Sequence, residues 1–199
     1  LFSSLLGLGT VILTFALVRE VTPDRPAVAL LAAALAGFNP QFIFISASAN
    51  NDNLLILSTT ALLWLALRLS NHLQDRPPTQ QESLWVGFWA LVALLTKMLS
   101  IAMLGGVFAF LVVAVWRRHG LRQSLRWLVP ALLVVMVGSS WWWLRNLRLY
   151  GDPLGYQAYQ DVFSVNLRST PMTRAEWRLF AKTQFQSYWG VFGWMNVHA

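Results

Sequence analysis

The chain has 199 residues, of which 56% are hydrophobic and 12% are charged. Because an average soluble domain has about 25% charged residues, this composition excludes a globular domain with a solvated surface and indicates a membrane protein. The net charge of +7 is spread over several short loops, which argues against nucleic-acid binding, and the absence of cysteine excludes disulfide bonds and thiolate metal sites.

Long apolar runs alternate with short charged loops over the first 144 residues. A helix rises 1.5 Å per residue, so about 20 apolar residues cross the hydrocarbon core of a bilayer. Residues 19–26 form a charged, proline-containing turn after the first run, and residues 70–82 form a polar loop after the third. The pattern predicts an all-α fold, a polytopic transmembrane helical bundle with about six spans. The predicted spans are residues 1–18, 27–49, 54–69, 84–96, 99–116 and 127–144.

Two of the apolar runs contain an internal break. Asn39-Pro40 interrupts the second run near its middle, because proline removes a backbone donor and disfavours helix at the residue before it. The block of residues 84–116 is too long for one span and contains a single charge, Lys97. One long tilted helix would bury this charge near its centre at a cost of about 2.5–3.5 kcal/mol. We therefore predict two helices that meet in a turn near residues 96–100.

The arginines indicate the orientation in the membrane. Residues 116–126 contain several arginines and no acid, so the positive-inside rule places this loop in the cytoplasm. Counting spans back places residues 19–26 and 70–82 inside as well, and residues 50–53 and the turn at Lys97 outside. We therefore predict a multi-pass protein of the cell membrane whose outer loops are extracytoplasmic.

The chain after the predicted bundle of residues 1–143 is expected to be extracytoplasmic. Within residues 144–199, Asp152-Pro153 follows a glycine and is predicted to form a turn rather than a site. Residues 174–188 have aromatic side chains at helical spacing and basic side chains opposite them. This pattern predicts an amphipathic helix at the membrane interface.

Few polar side chains lie on the predicted outer side. Asp52 lies between two spans, where a carboxylate indicates function, although residues 50–53 could also be an ordinary turn with a helix cap. Lys97 and Arg145 could supply positive charge beside an apolar face, as a lipid-linked phosphate requires. Alternatively, Lys97 is a snorkelling lysine and Arg145 flanks an aromatic belt. Because a turn at the outer interface is the least costly way to fold the apolar block, we predict that Lys97 lies close to Asp52 and Arg145. Convergence of these outer polar groups would form a site for an anion or a metal.

Several short motifs follow one another along the chain. They are Asn39-Pro-Gln-Phe with Ser46-Ala-Ser-Ala-Asn-Asn-Asp52, Leu94-Leu-Thr-Lys97, Trp143-Leu-Arg-Asn146 with Tyr150-Gly-Asp-Pro153, and Trp189-Gly-Val-Phe-Gly-Trp194. Their order and predicted sidedness resemble polytopic glycosyltransferases of the GT-C superfamily. The resemblance is to bacterial members of the protein-mannosyltransferase and aminoarabinose-transferase type, including the DUF2142-like proteins.

This resemblance implies a hexosyl- or pentosyltransferase that moves a sugar from a polyprenyl-phosphate donor to an acceptor on the extracytoplasmic face of a bacterial inner membrane. It implies that Asp52 is an auxiliary catalytic acid that contacts the donor or a metal, and that Lys97 contacts the lipid phosphate. Arg145 and Asn146 are implied donor contacts. The implied partners are the lipid bilayer and a polyprenyl-phosphate-linked sugar, and the implied cofactor is a divalent metal, Mg²⁺ or Mn²⁺.

In the resembled family the main catalytic acid lies in the first outer loop, before the region to which this chain corresponds. The chain begins at Leu1 without a methionine or a basic leader, so we interpret it as an internal fragment that lacks this loop. Two other functions stay open. A transporter or flippase would also contain broken helices, but its site would lie near the bilayer midplane, whereas the charges here lie at the predicted membrane edges. A non-catalytic membrane protein related to the enzymes is the third option.

Overall fold

The computed structural model describes residues 1–163, 170–192 and 197–198. These residues form nine helices and one pair of two-residue antiparallel strands, in which Val191 pairs with His198. The predicted all-α fold class is confirmed. The motif that ends at Trp194 lies partly outside the described residues.

The elements are α1 (Phe2–Val21), α2 (Pro26–Gly37), α3 (Pro40–Ala47), α4 (Asp52–His72), α5 (Gln80–Thr96), α6 (Ser100–His119), α7 (Leu121–Tyr150), α8 (Tyr156–Val162), α9 (Arg174–Trp189), β1 (Val191–Phe192) and β2 (Val197–His198).

Four of the described helices, α1, α4, α6 and α7, are long and apolar enough to cross a membrane. Helices α2 and α3 together form a fifth candidate span, which is bent by 61° at the break between them. Helix α5 has 17 residues and lies at the short end of the range of about 17–25 residues for a spanning helix. The structure therefore supports a multi-pass membrane protein, and the count of six spans stays a prediction.

The bend between α2 and α3 occurs at the predicted break. Asn39 precedes α3, and its side chain accepts a hydrogen bond from the Phe42 amide at 3.0 Å. Pro40 is the first residue of α3, a position where the missing N–H removes no helical hydrogen bond. The Asn-Pro pair therefore starts a new helix in a different direction.

The apolar block of residues 84–116 is also divided where the sequence predicts it. Helix α5 ends at Thr96 and α6 begins at Ser100. Between them, Lys97 adopts an extended backbone conformation with φ of −150° and ψ of 125°. Because the helix stops here, the lysine lies at a helix end and is not buried in the middle of a long helix.

The chain divides into two compact units, Leu1–Met136 and Val137–Ala199. The boundary lies within α7, so the first part of this helix belongs to the first unit and the second part to the second unit. The division that the sequence predicts, between residues 143 and 144, stays a prediction.

Helix α4 is the centre of the first unit. It packs against α1, α3, α5 and α6, and α1 also packs against α2 and α3. Several buried positions are small, such as Ala61, Ala66 and Ala90, and small residues let helices in a membrane approach closely. Large apolar side chains, for example Leu31 and Val129, remain exposed on the outer surface, which suits contact with lipid.

Helices α5 and α7 approach closely beside Pro130, which cannot donate a backbone hydrogen bond. The Ser83 hydroxyl donates to the Trp127 carbonyl and accepts from the Ala131 amide at 3.0 Å. It therefore bridges two backbone groups of α7 that are four residues apart. One turn further along α5, a Cβ added to Gly87 would lie 2.7 Å from the Ala131 carbonyl oxygen. A serine and a glycine thus permit this contact.

The turns of the first unit lie at its two ends. The connections α3–α4 and α5–α6 meet at one end, which we call the Asp52 end. At the other end, the Asn71 side chain donates to the Glu20 carbonyl at 2.9 Å, and His119 Nε2 lies 3.1 Å from the Leu73 carbonyl oxygen. We call it the arginine end, because the following arginines lie in its turns and helix ends: Arg19, Arg25, Arg68, Arg76, Arg117 and Arg118.

The second unit contains the end of α7, helices α8 and α9, and the strand pair. The side chain and backbone of Thr173 exchange hydrogen bonds with Glu176 in a capping box that begins α9. Helix α9 covers the predicted amphipathic segment of residues 174–188. Its location at a membrane interface stays a prediction.

Candidate functional site

Asp52 and Lys97 form an ion pair at the Asp52 end, where Lys97 Nζ contacts Asp52 Oδ1. Asp52 is the first residue of α4, and Lys97 directly follows the last residue of α5. The two side chains are 30% and 39% exposed, respectively. The pair is thus partly shielded but accessible to a ligand, and it joins two turns that are far apart in sequence.

Asn53 fixes the turn that carries Asp52. It is 2% exposed, and its side-chain amide donates to the carbonyls of Ile45 at 2.9 Å, Ser48 at 3.2 Å and Asn50 at 3.3 Å. The last carbonyls of a helix have no partner within the helix, so this amide satisfies the end of α3. The Asn50 side chain in turn accepts from the Asp52 amide at 2.9 Å. Asn53 therefore positions the start of α4.

Asn51 connects the two turns directly. Its side chain donates to the Thr96 carbonyl at 3.3 Å, next to Lys97. Asn51 precedes α4, but within the described structure its side chain makes no capping hydrogen bond. The Asp52 carboxylate contacts Lys97, and it lies in the first turn of α4, where the helix dipole stabilises negative charge. An ordinary helix cap does not account for this contact.

Three buried polar atoms in the helix ends beside these turns have no hydrogen-bond partner among the described residues. They are Asn53 Oδ1, Ser46 Oγ and Ser100 Oγ. Ser100 begins α6, and its amide donates to the Lys97 carbonyl at 3.0 Å. A buried polar group without a partner costs about 1–3 kcal/mol, which a buried water molecule could recover.

The described residues do not by themselves fit a divalent metal site. Asp52 is the carboxylate at this end of the bundle, and its Oδ1 contacts the ammonium group of Lys97. Within the described ranges, no group of three His, Cys, Asp or Glu side chains could hold a metal. A hard cation such as Mg²⁺ takes about six oxygen ligands. The role of Asp52 as a metal ligand stays a prediction.

Arg145 and Asn146 lie near the end of α7 in the second unit. Asn146 is 4% exposed and donates to the Pro153 carbonyl at 3.2 Å, and its Oδ1 accepts from Arg145 Nη1 at 3.4 Å. The buried amide thus orients the arginine and holds the turn that follows α7. The predicted convergence of Arg145 on Lys97 stays a prediction.

Asp152 forms this following turn. Its carboxylate accepts from the backbone amides of Leu154 at 2.9 Å, Gln157 at 3.2 Å and Tyr156 at 2.7 Å. These hydrogen bonds, with that of Leu154 contributing most, lower the pKa of Asp152. The carboxylate therefore stabilises the backbone of the turn, in agreement with the turn predicted from the sequence.

The sequence singles out Asp52 and Lys97 as candidate site residues, but it does not show which residues hold them together. Asn51 and Asn53 were visible only as members of an asparagine-rich turn, because their partners lie in other parts of the chain. An amide side chain between two predicted spans was the available signal. It indicated a turn, and it did not show which carbonyls the amide would reach.

A protein-family model described as dolichyl-phosphate-mannose-protein mannosyltransferase matches residues 1–143. The match includes Asp52, Lys97 and the turns that join them, and it ends before Arg145. No curated protein and no solved structure matches the chain. The matched segment covers well over half of the chain, and it has the helical, membrane-spanning character that the resemblance implied. The chain therefore belongs to the dolichyl-phosphate-mannose-protein mannosyltransferase family, whose members are membrane glycosyltransferases of the GT-C type.

Proposed function

We propose that this protein transfers a sugar from a polyprenyl-phosphate donor to an acceptor on the extracytoplasmic face of the membrane. The main support for the location of the transfer site is the contact between Asp52 and Lys97, which lies at the end of the bundle opposite the arginines. The positive-inside rule supports an outer position for the Asp52 end. A transporter site would be expected near the bilayer midplane, whereas this pair lies at helix ends.

Lys97 is suited to the leaving phosphate. In the proposed reaction the bond between the sugar carbon and the phosphate oxygen breaks and the phosphate takes the electron pair. A bond forms between the sugar carbon and the acceptor oxygen, and the acceptor hydroxyl gives its proton to the base that the family resemblance implies in an outer loop. A positive charge placed beside the departing oxygen stabilises this developing negative charge. The lysine ammonium has a flexible stem and could exchange the Asp52 carboxylate for a phosphate oxygen.

Asp52 has a complementary role in this proposal. Before the donor binds, its carboxylate neutralises Lys97, which lowers the cost of holding an ammonium group at the edge of the membrane. When the donor phosphate replaces the carboxylate as the partner of Lys97, the carboxylate can accept a hydrogen bond from a hydroxyl group of the sugar.

Following the family resemblance, we propose that Arg145 contacts the donor and that Asn146 positions this arginine. Arg145 can offer two N–H groups to one phosphate, while the buried Asn146 acts through its hydrogen bond to the arginine. The main catalytic acid is expected, from the family resemblance, in an outer loop and is not assigned to a residue of this chain.

The test measures transfer of a labelled sugar from a polyprenyl-phosphate donor in membranes that contain the protein. We expect Asp52→Asn and Lys97→Gln each to reduce transfer by about 100-fold, the size of effect seen when one positioned electrostatic group is removed. Lys97→Arg should retain part of the activity because it keeps the charge. Asp24→Asn is the matched control, since it removes an exposed acid in the turn between α1 and α2.

Protein level and membrane insertion are measured in parallel for every variant. If Asp52→Asn retains full activity where Asp52→Ala does not, Asp52 has only a structural role and the proposal fails. An equal loss in Asp24→Asn would also contradict it, because any loss of acidic charge would then have the same effect.

A further inference from the structure

A groove of about 450 Å³ lies between α4 and α5 at the arginine end. One wall contains Trp64, Arg68 and His72, which are four residues apart on α4 and therefore share one face. Trp85 and Trp89 line the opposite wall and are also four residues apart, on α5. The groove is thus aromatic along its length and polar at one end.

Arg76 and Glu82 form the polar end of the groove. Arg76 Nη2 lies 2.5 Å from Glu82 Oε1, and Nη1 lies 3.0 Å from Oε2, so the contact is bidentate. Partial burial raises the pKa of Glu82, but hydrogen bonds from Arg76 and Thr79 outweigh this effect and lower the pKa to about 2. Glu82 is therefore ionised at neutral pH, and the charge of Arg76 is neutralised within the protein.

Arg68 is the other cation of the groove, and no carboxylate of the described residues lies within ion-pair distance of it. Its guanidinium carbon lies 5.2 Å from the centre of the Trp64 ring. This cation–π contact holds the charge over an apolar surface and leaves N–H groups free to bind an anion. The groove therefore has one uncompensated positive charge beside apolar walls.

We propose that this groove binds one anionic phospholipid, with its phosphate on Arg68 and an acyl chain along Trp85 and Trp89. Tryptophan is enriched at the level of the lipid headgroups, and basic pockets between membrane helices bind anionic headgroups. A free phosphate ion would use the arginine but not the aromatic walls. The site lies at the opposite end of the first unit from Asp52 and Lys97, so it is separate from the proposed transfer site.

The test measures lipid binding to the purified protein in detergent by native mass spectrometry. We expect one phosphatidylglycerol to bind more tightly than phosphatidylcholine. Arg68→Gln keeps most of the side-chain length but removes the charge, and should weaken phosphatidylglycerol binding about tenfold. Arg118→Gln, which removes an exposed arginine outside the groove at the same end, should leave this binding unchanged.

Three outcomes would overturn the proposal. Equal weakening by Arg68→Gln and Arg118→Gln would mean that the basic end attracts anionic lipid without a specific site. Equal binding of the two lipids would mean that the groove binds any acyl chain. Glycerol phosphate, which has no acyl chain, should not displace phosphatidylglycerol at equal concentration, and full displacement would show that the aromatic walls play no part.

Discussion

Gly87→Ala tests the contact between α5 and α7. A Cβ atom at this position would lie 2.7 Å from the carbonyl oxygen and 2.9 Å from the Cα of Ala131, and 3.0 Å from the Cβ of Val134. The first two atoms belong to the backbone of α7 and cannot rotate away. Accommodating the methyl group therefore requires the two helices to move apart.

Two opposing effects determine how much Gly87→Ala changes the free energy of unfolding. Alanine is favoured over glycine inside a helix by about 1 kcal/mol, whereas adding a methyl group to a fully packed site costs about 1–3 kcal/mol. Contacts with two backbone atoms place Gly87→Ala near the upper end of the packing cost, so we expect a net destabilisation of about 1–2 kcal/mol. With a change of about 2–4 °C per kcal/mol for a chain of this size, Tm should fall by roughly 2–8 °C.

Gly105→Ala is the matched control, because nothing lies within 4 Å of a Cβ added at this helical glycine. It should leave Tm unchanged or raise it. The assay is thermal unfolding of the purified variants in one detergent, followed by tryptophan fluorescence. If Gly87→Ala is as stable as Gly105→Ala, the close approach of α5 to α7 is wrong.

Three further predictions concern topology, pH and the turn at the Asp52 end. Cysteines introduced at Asn51 and Gln123 should react with an impermeant thiol reagent from opposite sides of the membrane, and labelling of both from one side would contradict the predicted orientation. The lowered pKa of Glu82 means that its ion pair contributes stability above pH 4.5 that is lost as the pH falls towards about 2. Allowing for its partial exposure, we expect a loss of about 1–2 kcal/mol in acid thermal melts, which Glu82→Gln should largely abolish. Asn53→Asp retains the shape but removes the amide that donates to three carbonyls, so it should lower Tm more than Asn51→Asp. Equal Tm values for these two variants would show that Asn53 does not hold the turn.

Local properties of the sequence determined the class of protein and the places where its helices break. Low charge and long apolar runs identified a membrane protein, because each residue contributes to solvation largely independently of its partners. The breaks at Asn39-Pro40 and Lys97 follow from the missing proline donor and from the cost of burying a charge, and both are found in the structure. The order of short motifs also indicated the family, which the match to residues 1–143 confirms.

Contacts between side chains of different helices emerge only when the chain folds, because they depend on the rotation and depth of each helix in the bundle. The predicted turns placed Lys97 on the same outer side as Asp52, but only packing brings these two side chains, 45 positions apart, into direct contact. The residues around Ser83 in the sequence do not indicate that its hydroxyl hydrogen-bonds to the backbone of α7. Arg68 becomes part of a lipid-sized groove only when α5 packs against α4. Composition and helix-breaking residues can be recognised from consecutive residues of the sequence. A site, in contrast, forms only when packing brings side chains from separate helices together.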